Sequence, residues 1–262
     1  MTPLVPLRLR SSLALGAAFV VGIVAFGWPF VVQPGAALDT SHSGDSPLVF
    51  VVVLPLLAAV VLSELTSGSL DAKAVAMLGM LAAVGAALRA LGPGTAGLEP
   101  SFAVILLGGR VFGRGFGFVL GAVTLFAGAL LTGGVGPWLP FQMVAAGWVG
   151  FFAGCLPRGR GRLEVLVLAG YAFVVGLAYG LVMNLWFWPF ASYGPEVSYV
   201  AGGSLVTNLH HYLVFYVTTS LPWDLGRAVL SAVVVLVAGL PLLRALRRAA
   251  RRAAFDATAV FE

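Results

Sequence analysis

Apolar runs far longer than a water-soluble core needs recur along the whole chain, and they fix its class before any motif is considered. With 60% hydrophobic and 10% charged side chains over 262 residues, the chain is an integral membrane protein. The runs lack the alternation of a membrane barrel, and Gly and Ala crowd them as they do where helices touch in lipid. The expected fold is therefore an all-α bundle. The single cysteine, Cys155, excludes an internal disulfide and sits in an apolar run, where the role of a small buried hydrophobe is expected. The net charge of +5 resembles a nucleic-acid signature, but it falls in short loops beside apolar runs. It reports orientation, and no nucleic-acid partner is expected.

Eight spans follow from the pattern: residues 13–32, 48–62, 72–91, 101–112, 116–131, 141–156, 163–186 and 225–243. The segment 101–112 is short, roughly 18 Å at 1.5 Å per residue against a core of about 30 Å, so it either crosses shielded by neighbours or re-enters. A crossing puts Arg110, Arg114, Arg158, Arg160, Arg162 and the Arg-rich tail on one side, which the positive-inside bias favours. Of the 15 Lys and Arg, only Arg89 and Arg227 then lie at outer helix ends, and both termini are cytoplasmic in a multi-pass cell-membrane protein. Residues 206–220, with Asn208, His210, His211, Tyr212, Tyr216, Thr218 and Thr219, are too polar for a lipid-facing span. They read as an outer-surface helix or lid, with Asp224 capping the last span.

No His-Glu-x-x-His run, Gly-x-Ser-x-Gly elbow, Walker loop or paired carboxylate within a span is present, so neither an enzyme nor a self-energised carrier is expected. Polar and aromatic groups gather instead on the outer side. Arg89, Trp138, Gln142, Asn184, Asn208, His210 and His211 are the candidate ligand-binding residues, with Glu99, Trp186, Trp188, Trp223, Asp224 and Arg227 among them. A plainer reading stands beside this one. The tryptophans anchor at the interface, Arg227 pairs with Asp224, Arg89 pairs with Glu99, and Asn184 satisfies a neighbouring helix. Adjacent His210 and His211 point about 100° apart on a helix, so they suit hydrogen bonding better than chelation, and no metal is expected. The loop 133–142, with three glycines and two prolines, is a shaped corner that fits a binding site or a tight turn with a tryptophan anchor. In the third span, Ala72 and Ala76, and Gly79 and Ala83, are four apart and give one face of small side chains. Such a face packs against a helix of this chain or of another protein.

From Asp71 onward, four stretches carry a resemblance. They are the small-residue helix ending in Arg89; Ile105-Leu-Leu-Gly-Gly-Arg-Val-Phe-Gly113 with Gly115-Phe-Gly-Phe118; Gly136-Pro-Trp-Leu-Pro-Phe-Gln-Met143; and Thr219-Ser-Leu-Pro-Trp-Asp-Leu-Gly-Arg227. On these the chain resembles the substrate-binding S components of energy-coupling factor (ECF) vitamin transporters, most of all the cobalamin-type branch. The resemblance implies a six-helix vitamin-binding core over residues 71–252, with two extra helices in 1–70 and a tail at 253–262. It also implies docking through Ala72, Ala76, Gly79 and Ala83 on a transmembrane coupling protein driven by two cytoplasmic ATPases. The ligand would be a vitamin, cobalamin favoured, with no intrinsic cofactor, and the external loops would close over it near Trp138, Gln142, Asn208 and His210. A membrane structural or assembly protein that binds a protein partner on its outer face is the alternative.

Overall fold

A computed structural model describes residues 9–30, 59, 72–92, 97–157, 159–190 and 193–255. The expected span at 48–62, the Asp71 cap and the end of the tail fall outside these residues. The elements are α1 (Leu9–Gly27), α2 (Ala72–Ala90), α3 (Ser101–Phe112), α4 (Arg114–Thr132), α5 (Leu139–Cys155), α6 (Gly161–Phe187), α7 (Leu205–Phe215) and α8 (Leu221–Phe255). The described residues contain no strand, and Cys155, expected to be buried, is exposed where α5 ends. The protein is an all-α membrane protein. Four helical stretches are long and apolar enough to cross a bilayer, Lys73–Ala90, Arg114–Thr132, Gly161–Phe190 and Leu205–Arg251, and α1, α3 and α5 are shorter and apolar.

The short helix α3 is the centre of the bundle. It packs against α2, α4, α5 and α8, and nearly every residue from Ser101 to Phe112 is buried. A helix sheathed in protein does not have to match the hydrocarbon thickness, which explains how so short an element holds this place. Its end at Arg110 meets the start of α6, and its start at Ser101 meets the Arg89 end of α2, so it runs between the two polar ends of the molecule.

The packing of α3, α4 and α5 rests on missing side chains. A Cβ on Gly109 or Gly117 would overlap the carbonyl oxygen of Gly150, one on Gly150 would overlap that of Gly117, and one on Gly121 would overlap that of Ala146. Backbones in contact at this range gain dispersion energy over their whole length, the main attraction between helices where lipid is as apolar as the side chains. The face of α2 with Ala76, Gly79 and Ala83 behaves differently. It points away from the bundle, all three are exposed, and nothing lies within 4 Å of a Cβ placed on Gly79. The opposite face, with Leu78, Leu81, Ala82 and Ala86, is the buried one.

The largest departure from expectation is at the C-terminal third. In place of an outer-surface helix or lid followed by a span capped by Asp224, α7 continues through a π-helical turn, Tyr216–Ser220, straight into α8. The stretch Leu205–Arg251 is 47 residues of helix, roughly 70 Å at 1.5 Å per residue, so it extends well past a core of about 30 Å. Two physical reasons account for the continuity. The widened turn, closed by the Leu221 amide on the Tyr216 carbonyl, makes room for Pro222, whose ring would clash with a carbonyl in a regular α-turn. The polar side chains also bond inward: Thr218 donates to the carbonyls of Val214 and Phe215, and Thr219 to that of Phe215. Asp224 is accordingly no cap. It lies inside the helix, buried, and paired with Arg227 at 2.5 Å.

Candidate functional site

The end of the bundle at which α2 and α6 finish and α5 begins carries a polar and aromatic cluster. Gly133, at φ 67°, closes α4 in the left-handed conformation that favours glycine. The chain turns through Gly136 and enters α5 at Leu139–Pro140, where a proline in the first turn costs no hydrogen bond. Trp138 folds back over Gly136, leaving no space for a Cβ there, and its indole N–H donates to the Gly134 carbonyl at 3.1 Å. The Trp138 ring stays 38% exposed and meets Trp186 edge-on at 6.2 Å, and Trp186 in turn packs on Phe141. Gln142 thus stands in the first turn of α5, one turn beyond Trp138, as part of a helix.

Arg89, in the last turn of α2, joins this cluster across the bundle. Its Nη1 donates to Glu99 Oε2 at 3.1 Å and its Nη2 to Gln142 Oε1 at 3.2 Å, while Ser101 Oγ donates to the other Glu99 oxygen at 2.6 Å. Gly128 of α4 leaves the gap that the Arg89 stem fills. The Arg89–Glu99 pairing anticipated from the sequence is present, and Gln142 is its third member. Deeper in, Tyr179 of α6 packs edge-on against Phe102 of α3 at 4.9 Å and lies under the Arg227 guanidinium at 5.1 Å. The second anticipated pair, Asp224–Arg227, completes a core of two arginines and two carboxylates around that ring, with Arg227 also donating to the Gly176 carbonyl at 3.3 Å. Tyr179 had no signal in the sequence, because one tyrosine in an apolar span looks like core.

The remaining candidates are placed elsewhere. Asn184 lies on α6, one turn before Trp188, with its Nδ2 buried and without a hydrogen-bond partner. Asn208 is buried and uses both ends of its amide on one residue: the Val200 N–H donates to its Oδ1 and its Nδ2 donates to the Val200 carbonyl, each at 2.9 Å. His211 bonds the Ser198 carbonyl at 2.9 Å through Nδ1, so Asn208 and His211 together fasten the loop before α7. His210 is exposed on α7 and is not among the residues around Arg89. The described residues contain no group of three His, Cys, Asp or Glu placed to hold a metal ion. Trp188 differs from a surface anchor. It is fully buried, donates to the Val197 carbonyl at 2.7 Å and packs on Tyr199 and Tyr212, whose hydroxyl donates to the Leu181 carbonyl. Trp223, half exposed, keeps the character of an interfacial anchor.

The opposite end holds a polar group that sequence reading missed. Glu164, in the first turn of α6 and 2% exposed, accepts from Arg110 Nε at 2.7 Å and from Arg247 Nη2 at 2.6 Å. Arg110 spends its other nitrogens on the carbonyls of Leu156 and Pro157, at 2.8 and 3.0 Å, closing the open end of α5. One carboxylate and two arginines thereby join α3, α5, α6 and α8.

In chemical terms, the Trp138 end has an arginine whose two donors are shared between a carboxylate and an amide, beside an aromatic wall. Such a group recognises and exchanges polar partners. Comparison with curated proteins and with solved structures finds no match. Comparison with protein families does: residues 73–239, well over half of the chain, match the family described as ECF transporter, substrate-specific component, and the chain belongs to that family.

Proposed function

We propose that the Trp138 end is the mouth at which this subunit takes up a vitamin, and that the exposed face of α2 docks on the coupling protein. The protein is a substrate-specific membrane subunit of an ECF transporter, a family of transport components. The observation that carries the finer reading is the three-way contact of Arg89, Glu99 and Gln142 beside Trp138 and Trp186. The Arg89 and Glu99 side chains are each 16% exposed, and an ion pair at such a rim is worth about 1 kcal/mol or less, so a ligand group can replace one partner at small cost. The unpartnered Asn184 amide nitrogen offers a further donor on the same end of α6. In this reading Asn208 and His211 hold the loop that closes over the mouth. The arginine-rich end faces the cytoplasm by the positive-inside bias, which places both the mouth and His210 outside.

The ligand of this reading is a vitamin, with cobalamin or a related cofactor precursor favoured. Two cytoplasmic ATPases supply the energy through the coupling protein, to which Ala76, Gly79 and Ala83 present the small-residue face. Mass spectrometry of the ligand retained after mild detergent purification tests the first half, and a corrinoid or another vitamin is expected. Gln142→Ala weakens that binding about tenfold, the loss of one hydrogen bond to a charged network. Ala83→Trp spares ligand binding and abolishes ATP-driven uptake in the assembled transporter; uptake that survives it would remove the docking face from this reading.

A further inference from the structure

Beyond Leu243 the last helix carries Arg244, Arg247, Arg248 and Arg251, whose spacings of three, four and seven return to one helical face. With Pro241 they line a shallow groove of about 560 Å³. Arg247 is answered by Glu164, a carboxylate it shares with Arg110, so that triad still carries a positive charge. Arg244, Arg248 and Arg251 are exposed, and none of them is paired with a carboxylate among the described residues. Arg251 donates to the Arg247 carbonyl at 3.3 Å. The groove is therefore suited to negative charge, and the described residues supply less than one acid for each of its arginines.

Its position narrows what that charge belongs to. Residues 225–243 of α8 span roughly 28 Å at 1.5 Å per residue, close to the thickness of one hydrocarbon core, so Arg244 is the first side chain beyond it and Arg248 and Arg251 stand one and two turns further. Over that span α8 turns Val229, Val233, Leu236 and Val237 outward, on the side of the helix that carries the groove. A molecule with a phosphate at one end and apolar chains at the other matches both parts at once. Guanidinium forks bind phosphate oxygens in pairs, and the exposed aliphatic strip offers the chains a surface. We propose that this groove is a binding site for the phosphate headgroup of an anionic phospholipid, whose acyl chains lie along the outward face of α8. The site stands at the end opposite the ligand mouth and does not depend on which vitamin is carried.

The test uses the full chain, delipidated in a neutral detergent and offered phosphatidylglycerol or phosphatidylcholine of the same acyl chains, with retention read by native mass spectrometry. Each arginine at an anionic surface is worth about fivefold in affinity, so phosphatidylglycerol is expected to be held at least about tenfold more tightly. The combined Arg244→Gln, Arg248→Gln and Arg251→Gln variant brings the two lipids to near parity, and the corresponding lysine variant keeps most of the preference. Should the glutamine variant fail to fold, raising NaCl from about 0.05 to about 0.5 M on the unaltered chain is expected to cut the preference severalfold by screening. Equal retention of both lipids, a preference untouched by the glutamines or by salt, or full displacement of the lipid by about 10 mM inorganic phosphate would each overturn the proposal; the last assigns the groove to a free anion at concentrations where an exposed phosphate contact exchanges freely. Tighter capture of a polyglutamate peptide than of phosphatidylglycerol vesicles would overturn it in favour of an acidic protein partner.

Discussion

The two ends of the bundle use the same residue types, arginine and glutamate, in opposite ways. At the end of α3 near Arg110, one nearly inaccessible carboxylate is gripped by two arginines, and one of those also closes the carbonyls of α5. At the end near Arg89, the carboxylate and the guanidinium are both part-exposed, and the arginine divides its donors between Glu99 and Gln142. A buried charge cannot lose its partner without leaving the other uncompensated, whereas a rim pair gives way cheaply. The first end is a fastening and the second is exchangeable.

Four measurements break or sharpen this contrast. Removing the gripped carboxylate by Glu164→Ala leaves Arg110 buried and unpaired and is expected to cost about 3–5 kcal/mol of stability, read as a large fall in thermal midpoint in detergent. If that variant unfolds no earlier than the unaltered chain, the fastening is not one. Asn208→Ala strips two hydrogen bonds from the Val200 backbone and is expected to cost about 1–3 kcal/mol, with faster hydrogen exchange at residues 198–203. Glu99→Gln removes the exposed pairing, and the expected loss is below about 1 kcal/mol of stability together with a measurable change in ligand affinity. A result as severe as that of Glu164→Ala would erase the difference between the ends. Smallest of all, raising salt to about 0.5 M is expected to erode the Arg89–Glu99 contribution by a few tenths of a kcal/mol and the Arg110–Glu164 contribution less, because those last two side chains are 7% and 2% exposed against 16% for each member of the rim pair; the salt dependence of the two variants separates them.

How far the sequence reached followed the same physics. Helix positions were legible because apolar runs in lipid are long and bounded by charge or proline: α3 coincides with the expected 101–112 segment, and α5 and α6 lie within a few residues of their expected limits. The Arg89–Glu99 and Asp224–Arg227 pairs were legible because each joins residues close in the chain, ten and three apart. Glu164 with Arg110 and Arg247 was not, since those partners stand 54 and 83 residues apart and meet only after four helices pack. The unbroken helix through Pro222 was missed because polarity was read as exposure, whereas the threonines return their hydroxyls to the helix backbone. The small-residue spacing of α2 and the glycines of α3, α4 and α5 look alike on paper, and only the packing tells an outward surface from an internal seam.

The α6–α8 contact carries a further consequence. Asp224 enters α6 through the notch at Gly180, where a methyl group would occupy the same volume as the carboxylate, and one turn away Gly176 receives Ala228 in the same manner. Gly180→Ala, a change that adds no charge and no polarity, would therefore act as an ionic lesion. It would evict the acid from its seat, strand Arg227 over the Tyr179 ring, and unsettle the Trp138 end from beneath through a residue that carries no functional group at all.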